Sequence, residues 1–243
     1  MPPKPSTTKV LVTGFGPFNN HPSNPSWTLT HALPSTHPKD PKITIATPPS
    51  PLTSAYHDIL TAVQTLYTEH DPDIVLHIGL DDTPGDVRFK VEKSALREGY
   101  HELPDRKRRV FTRGENKTVF GKGPARLETG FDVGETVEAW EERVRGLKLA
   151  GAGSGGGEKV VGGKGKGKGM AGTQVEVVES DDVGNYTCGF IYYVGLSEMG
   201  KRRRKGDVVF LHVPWLESEE DVRVGVRVVE ELIGVLVEGW KGR

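Results

Sequence analysis

The sequence holds a single cysteine, Cys188, among 243 residues. One thiol excludes an internal disulfide framework, and it excludes zinc sites that need a cysteine pair. The histidines His21, His31 and His37 do not fall at metal-ligand spacing either, so no metal and no cofactor is expected. Aromatic residues are scarce, at 7 %. No apolar run approaches the ~18 residues that a membrane-spanning helix requires, so no membrane partner is expected. Neither sign of charge dominates: the net charge is −1, which excludes a strong whole-molecule attraction to nucleic acid. Residues 1–9 are polar and proline-rich and lack the apolar core of a secretory signal. With the lone thiol, that predicts a reducing, cytoplasmic location.

What the chain does have is glycine, 31 residues of it, much of it in one stretch. The length and the lack of a central linker predict a single domain, 1–243. Two insertions are expected in it: a low-complexity Gly/Lys stretch at about 150–172 and a basic loop at 200–206 containing KRRRK. No aromatics interleave with those lysines and arginines, so they read as surface insertions and not as a nucleic-acid site. Short β-branched runs predict strands at 9–13, 43–47, 73–78, 87–95, 174–179 and 207–213. Helices are expected at 25–33, 51–70, 131–149, 186–199 and 219–240. In the second of these Leu52, Ala55, Ile59, Ala62, Val63 and Leu66 recur at helical spacing, and in the last Val222, Val226, Val229, Leu232, Ile233 and Leu236 do so. The segment 97–126 reads as polar and irregular. Strands alternating with helices predict an α/β fold, with a mainly parallel sheet covered on both faces. Sites in such folds form at the C-terminal ends of strands. Five loops are therefore expected at one edge, following residues 13, 78, 95, 179 and 213.

Three reactive side chains lie near those ends: Glu92, Cys188 and His212. Cys188 falls just inside the helix that follows the turn SDDVGN. Amides and the positive dipole end at a helix N-terminus favour a thiolate, and thiols so placed fall from about 8.5 toward ~3.5–7.5 in pKa. The same amides can hold an oxyanion. A histidine in reach would activate the thiol, and a carboxylate behind it would fix the tautomer. Blander readings remain open for each residue. A lone cysteine is often a small buried hydrophobe, a histidine in an apolar strand is often a satisfied core residue, and Glu92 beside Lys90 and Lys93 suits a solvated strand. TGFGPF lacks the third glycine of a dinucleotide loop and carries Pro17, and Phe190, Tyr192 and Tyr193 read as core packing on the cysteine helix.

The segment VLVTGFGPFNNHPSNPSW (10–27) resembles the opening of the pyroglutamyl peptidase I family, peptidase family C15. DIVLHIGL followed by FKVEKSA resembles that family's glutamate segment, SDDVGNYTCGFIYYVGL its cysteine segment and VVFLHVPWL its histidine segment, in the same order. The resemblance implies a three-layer α/β/α sandwich with a mainly parallel (mixed) sheet, of the phosphorylase/hydrolase-like type. It implies cysteine omega-peptidase activity that removes the N-terminal pyroglutamyl residue from peptides, with Glu92, Cys188 and His212 as catalytic triad. It maps the lactam-binding residues onto Phe15, Phe18 and Asn24, with Thr187 beside the nucleophile. A small flat neutral lactam suits aromatic walls and a few amide partners. Relatives that form dimers or tetramers leave a homo-oligomer open. The chain departs from the family at LDDTPG (80–85), where many members are Gly-rich, at Glu102, where many have arginine, and at Val183, where many have alanine. Arg97 and Arg106 are the nearest substitutes for that arginine. The alternative is a catalytically silent pyroglutamyl- or peptide-binding protein on the same scaffold. A more distant alternative is a nucleoside- or phosphate-handling enzyme.

Overall fold

The computed structural model describes residues 7–17, 23–150, 172–202 and 207–243. The expected Gly/Lys insertion and most of the KRRRK loop lie outside them, while Lys201 closes a helix and Arg202 caps it. The strands are β1 (Thr8–Gly14), β2 (Ile43–Ala46), β3 (Ile74–Leu80), β4 (Phe89–Glu92), β5 (Ser94–Leu96), β6 (Arg126–Glu128), β7 (Lys148–Leu149), β8 (Thr173–Gln174), β9 (Val177–Ser180) and β10 (Val208–Val213). The helices are α1 (Pro25–Ala32), α2 (Tyr56–His70), α3 (Arg113–Phe120), α4 (Val133–Val144), α5 (Thr187–Lys201) and α6 (Glu219–Gly242).

Six strands form the central sheet in the order β2-β1-β3-β10-β4-β9. β2, β1, β3 and β10 are mutually parallel; β4 is antiparallel to β10 and parallel to β9. The sheet is thus mixed and mainly parallel. Alternate residues point to opposite faces. Val10, Val12, Leu76, Ile78, Val209 and Leu211 join one apolar cluster with residues of α1, α4 and α6. Leu11, Val75, Val208 and Phe210 join the other, with residues of α2 and α5. The result is the expected α/β/α sandwich. Trp140 fastens α4 to α6, its indole N–H donating to the Val228 carbonyl at 2.8 Å.

Several boundaries differ from the sequence reading, each for a local reason. α2 begins at Tyr56 and not at residue 51, because Leu52 is drawn into extended pairing with the first loop: its N–H donates to the Gly14 carbonyl and its carbonyl accepts from Gly16, both at 2.9 Å. The run 87–95 splits at Lys93 into β4 and β5, since β5 leaves the central sheet to pair with β6. The segment read as irregular contains α3, started by a capping box in which Thr112 and Glu115 satisfy each other's backbone N–H. The helix expected over 131–149 ends at Val144, and the run 174–179 splits into β8, paired with β7, and β9. On α6, Val222 and Val226 sit at the flank while Val224 and Val228 are buried.

The five-loop edge needs the largest correction. Because β4 and β9 run against β10, their C-terminal ends leave toward the other edge of the sheet. The loops after β1, β2 and β3, the end of β10 and the turn after β9 still border one cavity; of the five expected loops, the one after residue 95 contributes no residue to its lining. Glu92 nonetheless lies close to His212, since it pairs with Phe210 on the same face of the adjoining strand. The turn 181–186 then brings the chain from Ser180 to the first turn of α5.

Candidate active site

His212 is the penultimate residue of β10 and shares its face with Phe210, whose ring stands edge-on to the imidazole at 4.9 Å between centroids. Its Nδ1 lies 2.8 Å from Oε1 of Glu92, which is fully buried. An ionised carboxylate only accepts, so Nδ1 carries the proton and Nε2 is left for other contacts. Asp182 N–H donates to the second oxygen of Glu92 at 3.1 Å, holding the carboxylate in place. Cys188 lines the same cavity as His212 and acts on its imidazole. Burial works to lower the pKa of His212, but hydrogen bonds to Cys188 and Glu92 and their charges outweigh it and raise the imidazole to about 10. The site therefore favours imidazolium.

Cys188 is the second residue of α5. Tyr186, the N-cap, makes no side-chain cap to the first turn, so amides beside the sulfur are not consumed by a capping side chain. Two glycines shape this corner. Gly79 lies inside β3, where sequence reading took it as the strand's end; a Cβ there would sit 2.6 Å from the Phe210 ring and 2.9 Å from the Cys188 sulfur. Its missing side chain is the space the thiol occupies, and a lone glycine inside an apolar run is the signal that could have found it. A Cβ on Gly189 would lie 2.1 Å from the Gly184 carbonyl oxygen, so the turn and the first helical turn touch backbone to backbone.

A cavity of about 260 Å³ opens beside these groups, lined by Cys188 and His212 among others. Phe15 and Thr187 line it too and are buried. Phe18 lies outside the described residues. Asn24 lines the cavity but is committed to structure: its Oδ1 accepts from Ser26 N–H at 3.0 Å as the N-cap of α1, and its amide N–H donates to the Gly16 carbonyl at 3.0 Å. Sequence reading missed Ser54 and Tyr186, which also line the cavity, as does Val183, one of the positions where the chain departs from the family pattern. Burial, with the charges of Asp105 and Cys188, raises the Tyr186 phenol. Neither arginine named as a substitute lines the cavity. Arg97 donates to the Gly123 carbonyl, and Arg106 donates to the Pro17 carbonyl at 2.7 Å.

Among the described residues no group of three or more His, Cys, Asp or Glu side chains could hold a metal ion. No helix among them is long and apolar enough to cross a membrane.

The family model described as pyroglutamyl peptidase matches residues 8–127. The chain is 27 % identical over 231 residues to pyroglutamyl-peptidase 1 of Rattus norvegicus, covering 93 % of this chain and 90 % of the rat protein. It is 26 % identical to the pyrrolidone-carboxylate peptidase of Clavibacter michiganensis, covering 86 % and 80 % respectively. Its fold is shared with the pyrrolidone carboxyl peptidase of Pyrococcus furiosus, at TM-score 0.69 and 18 % identity over 96 % of this chain and 100 % of that one. The Thermococcus litoralis enzyme of the same name matches at TM-score 0.69 and 14 % identity, over 96 % and 94 %.

Proposed function

We propose that this chain, which belongs to the pyroglutamyl peptidase family, hydrolyses the N-terminal pyroglutamyl residue from peptides through a thioester on Cys188. The observation that carries the reading is the hydrogen bond from His212 to the buried Glu92, with Cys188 acting on the same imidazole, beside a cavity that Phe15 and Thr187 also line.

The Cys188 sulfur attacks the carbonyl carbon that joins pyroglutamate to the next residue, and its proton resides on His212. The carbonyl oxygen takes up the negative charge, and amides of the first turn of α5 stabilise it. Collapse of the tetrahedral intermediate breaks the C–N bond as His212 gives its proton to the leaving amine. Water, deprotonated by His212, then attacks the thioester and releases pyroglutamate and the free thiol. Glu92 keeps the imidazole in the required tautomer and stabilises its cation. Phe15 packs on a flat face of the lactam, while Thr187 and the structurally engaged Asn24 border its polar edge. A pyroglutamyl ring has no α-ammonium, so the site needs no acidic anchor for it. A nucleophilic thiol without a disulfide partner works in a reducing compartment, and we assign the protein to the cytoplasm.

The test is turnover of two fluorogenic amides, one pyroglutamyl and one prolyl, which share ring size but differ in the lactam carbonyl and the ring's charge. Cleavage of the pyroglutamyl amide with little or none of the prolyl amide supports the proposal. Cleavage of neither contradicts it.

A further inference from the structure

The rim of the catalytic cavity carries unbalanced charge. Asp81, Asp82 and Asp182 all line the catalytic cavity. Asp81 is neutralised, since Lys90 Nζ lies 2.5 Å from its Oδ2. Lys90 also reaches Asp86 at 2.7 Å, and Arg88 pairs with Asp86 at 2.7 Å, so these two acids and two bases cancel. On the other wall Asp181 pairs with Arg126 at 2.9 Å and Glu179 with Lys93 at 3.0 Å. Asp82 and Asp182 are exposed, and among the described residues no basic side chain pairs with either. The cavity lining contains no lysine or arginine. Two uncompensated carboxylates therefore border the cavity, one from the β3–β4 loop and one from the β9–α5 turn.

We propose that Asp82 and Asp182 select for a cationic residue after pyroglutamate and against an acidic one. The inference rests on the peptidase reading above and adds to it the chemistry of the second substrate position. The pyroglutamyl ring is neutral, so the ring itself contributes nothing to this discrimination. The charges lie at the solvent-facing mouth, where water and salt screen them, so the effect is a preference and not an absolute requirement.

The experiment compares kcat/KM for pyroglutamyl-Lys, pyroglutamyl-Ala and pyroglutamyl-Glu substrates, each with an amidated C-terminus so that only the second residue carries charge. At low salt the order is Lys, then Ala, then Glu, with a Lys-to-Glu ratio on the order of 10 for two charges acting across a hydrated mouth. The ratio contracts in about 0.5 M salt, where the screening length is only a few ångströms. In the double variant Asp82→Asn, Asp182→Asn the ratio falls toward one. The readout is the ratio within each protein, so a general change in rate does not obscure it. A ratio near one in the native chain, or one that survives both substitutions, overturns the inference. Loss of turnover on pyroglutamyl-Ala by the native chain overturns the peptidase reading instead, which keeps the two failures distinct.

Discussion

His212 stands between a buried carboxylate and a thiol, and both hold it in its charged form. Its pKa in the folded chain, about 10, lies above the ordinary value of about 6.5. The sign of the consequence follows. The stability contributed by the imidazolium is fully present below about 6.5 and is lost as pH rises through about 10. Activity that needs the imidazolium to protonate a leaving amine disappears over the same upper limb. Glu92→Gln removes one of the anions that raise the imidazole, and it removes the acceptor that fixes Nδ1–H. The upper limb of the kcat/KM profile should move to lower pH, and the rate at its maximum should fall on the order of 10³-fold. A pH–rate profile of the variant that superimposes on the native one would count against Glu92 as the orienting residue. At this scale the sequence was informative about chemistry. Glu92, Cys188 and His212 could be singled out as reactive side chains near the ends of predicted elements. Gly79 was read as the end of its strand; Leu80 continues the apolar run, and that placed the glycine inside it, where the sulfur lies against it.

Elements place those side chains, and one contact between elements can be tested alone. Gly189 occupies the first turn of α5, where alanine would ordinarily stabilise a helix by about 0.5–1 kcal/mol over glycine. Here the added carbon would lie 2.1 Å from the Gly184 carbonyl oxygen, and the backbone of the turn would have to retreat. Gly189→Ala should therefore destabilise the protein by about 1–3 kcal/mol. For a chain of this size that is a fall in melting temperature of roughly 3–10 °C. Activity should fall further than stability explains, since the displaced turn carries Asp182, whose N–H holds Glu92. Thermal unfolding that shows no loss, or a gain, would mean that the turn is not pressed against the helix. Helix positions were well read where the apolar spacing was sustained, as for α6. They were misread where a tertiary partner captured the backbone, as Leu52 was captured by Gly14 and Gly16. The direction of β4 and β9 was not legible either, because the alternation of a strand is the same whichever way it runs. The capping box of α3 was present in the sequence as Thr112 and Glu115 and went unused.

Across the whole molecule, helices on two faces cover one mixed sheet, and the first loop, the β9–α5 turn and the end of β10 converge on a single cavity. That architecture was legible from the alternation of strands and helices, because both sheet faces must be covered whatever the strand directions. The charge balance of the cavity mouth was not, since only the folded chain reveals which of many acids have found a base. The central claim is that this scaffold exists to present one thiol to a pyroglutamyl carbonyl. Its most direct measurement is turnover of a pyroglutamyl amide by the native chain and by Cys188→Ala, with circular dichroism to verify that both are folded. The account predicts a folded variant whose rate is lower by about 10⁴-fold or more. A folded Cys188→Ala protein that cleaves the substrate at the native rate would contradict it.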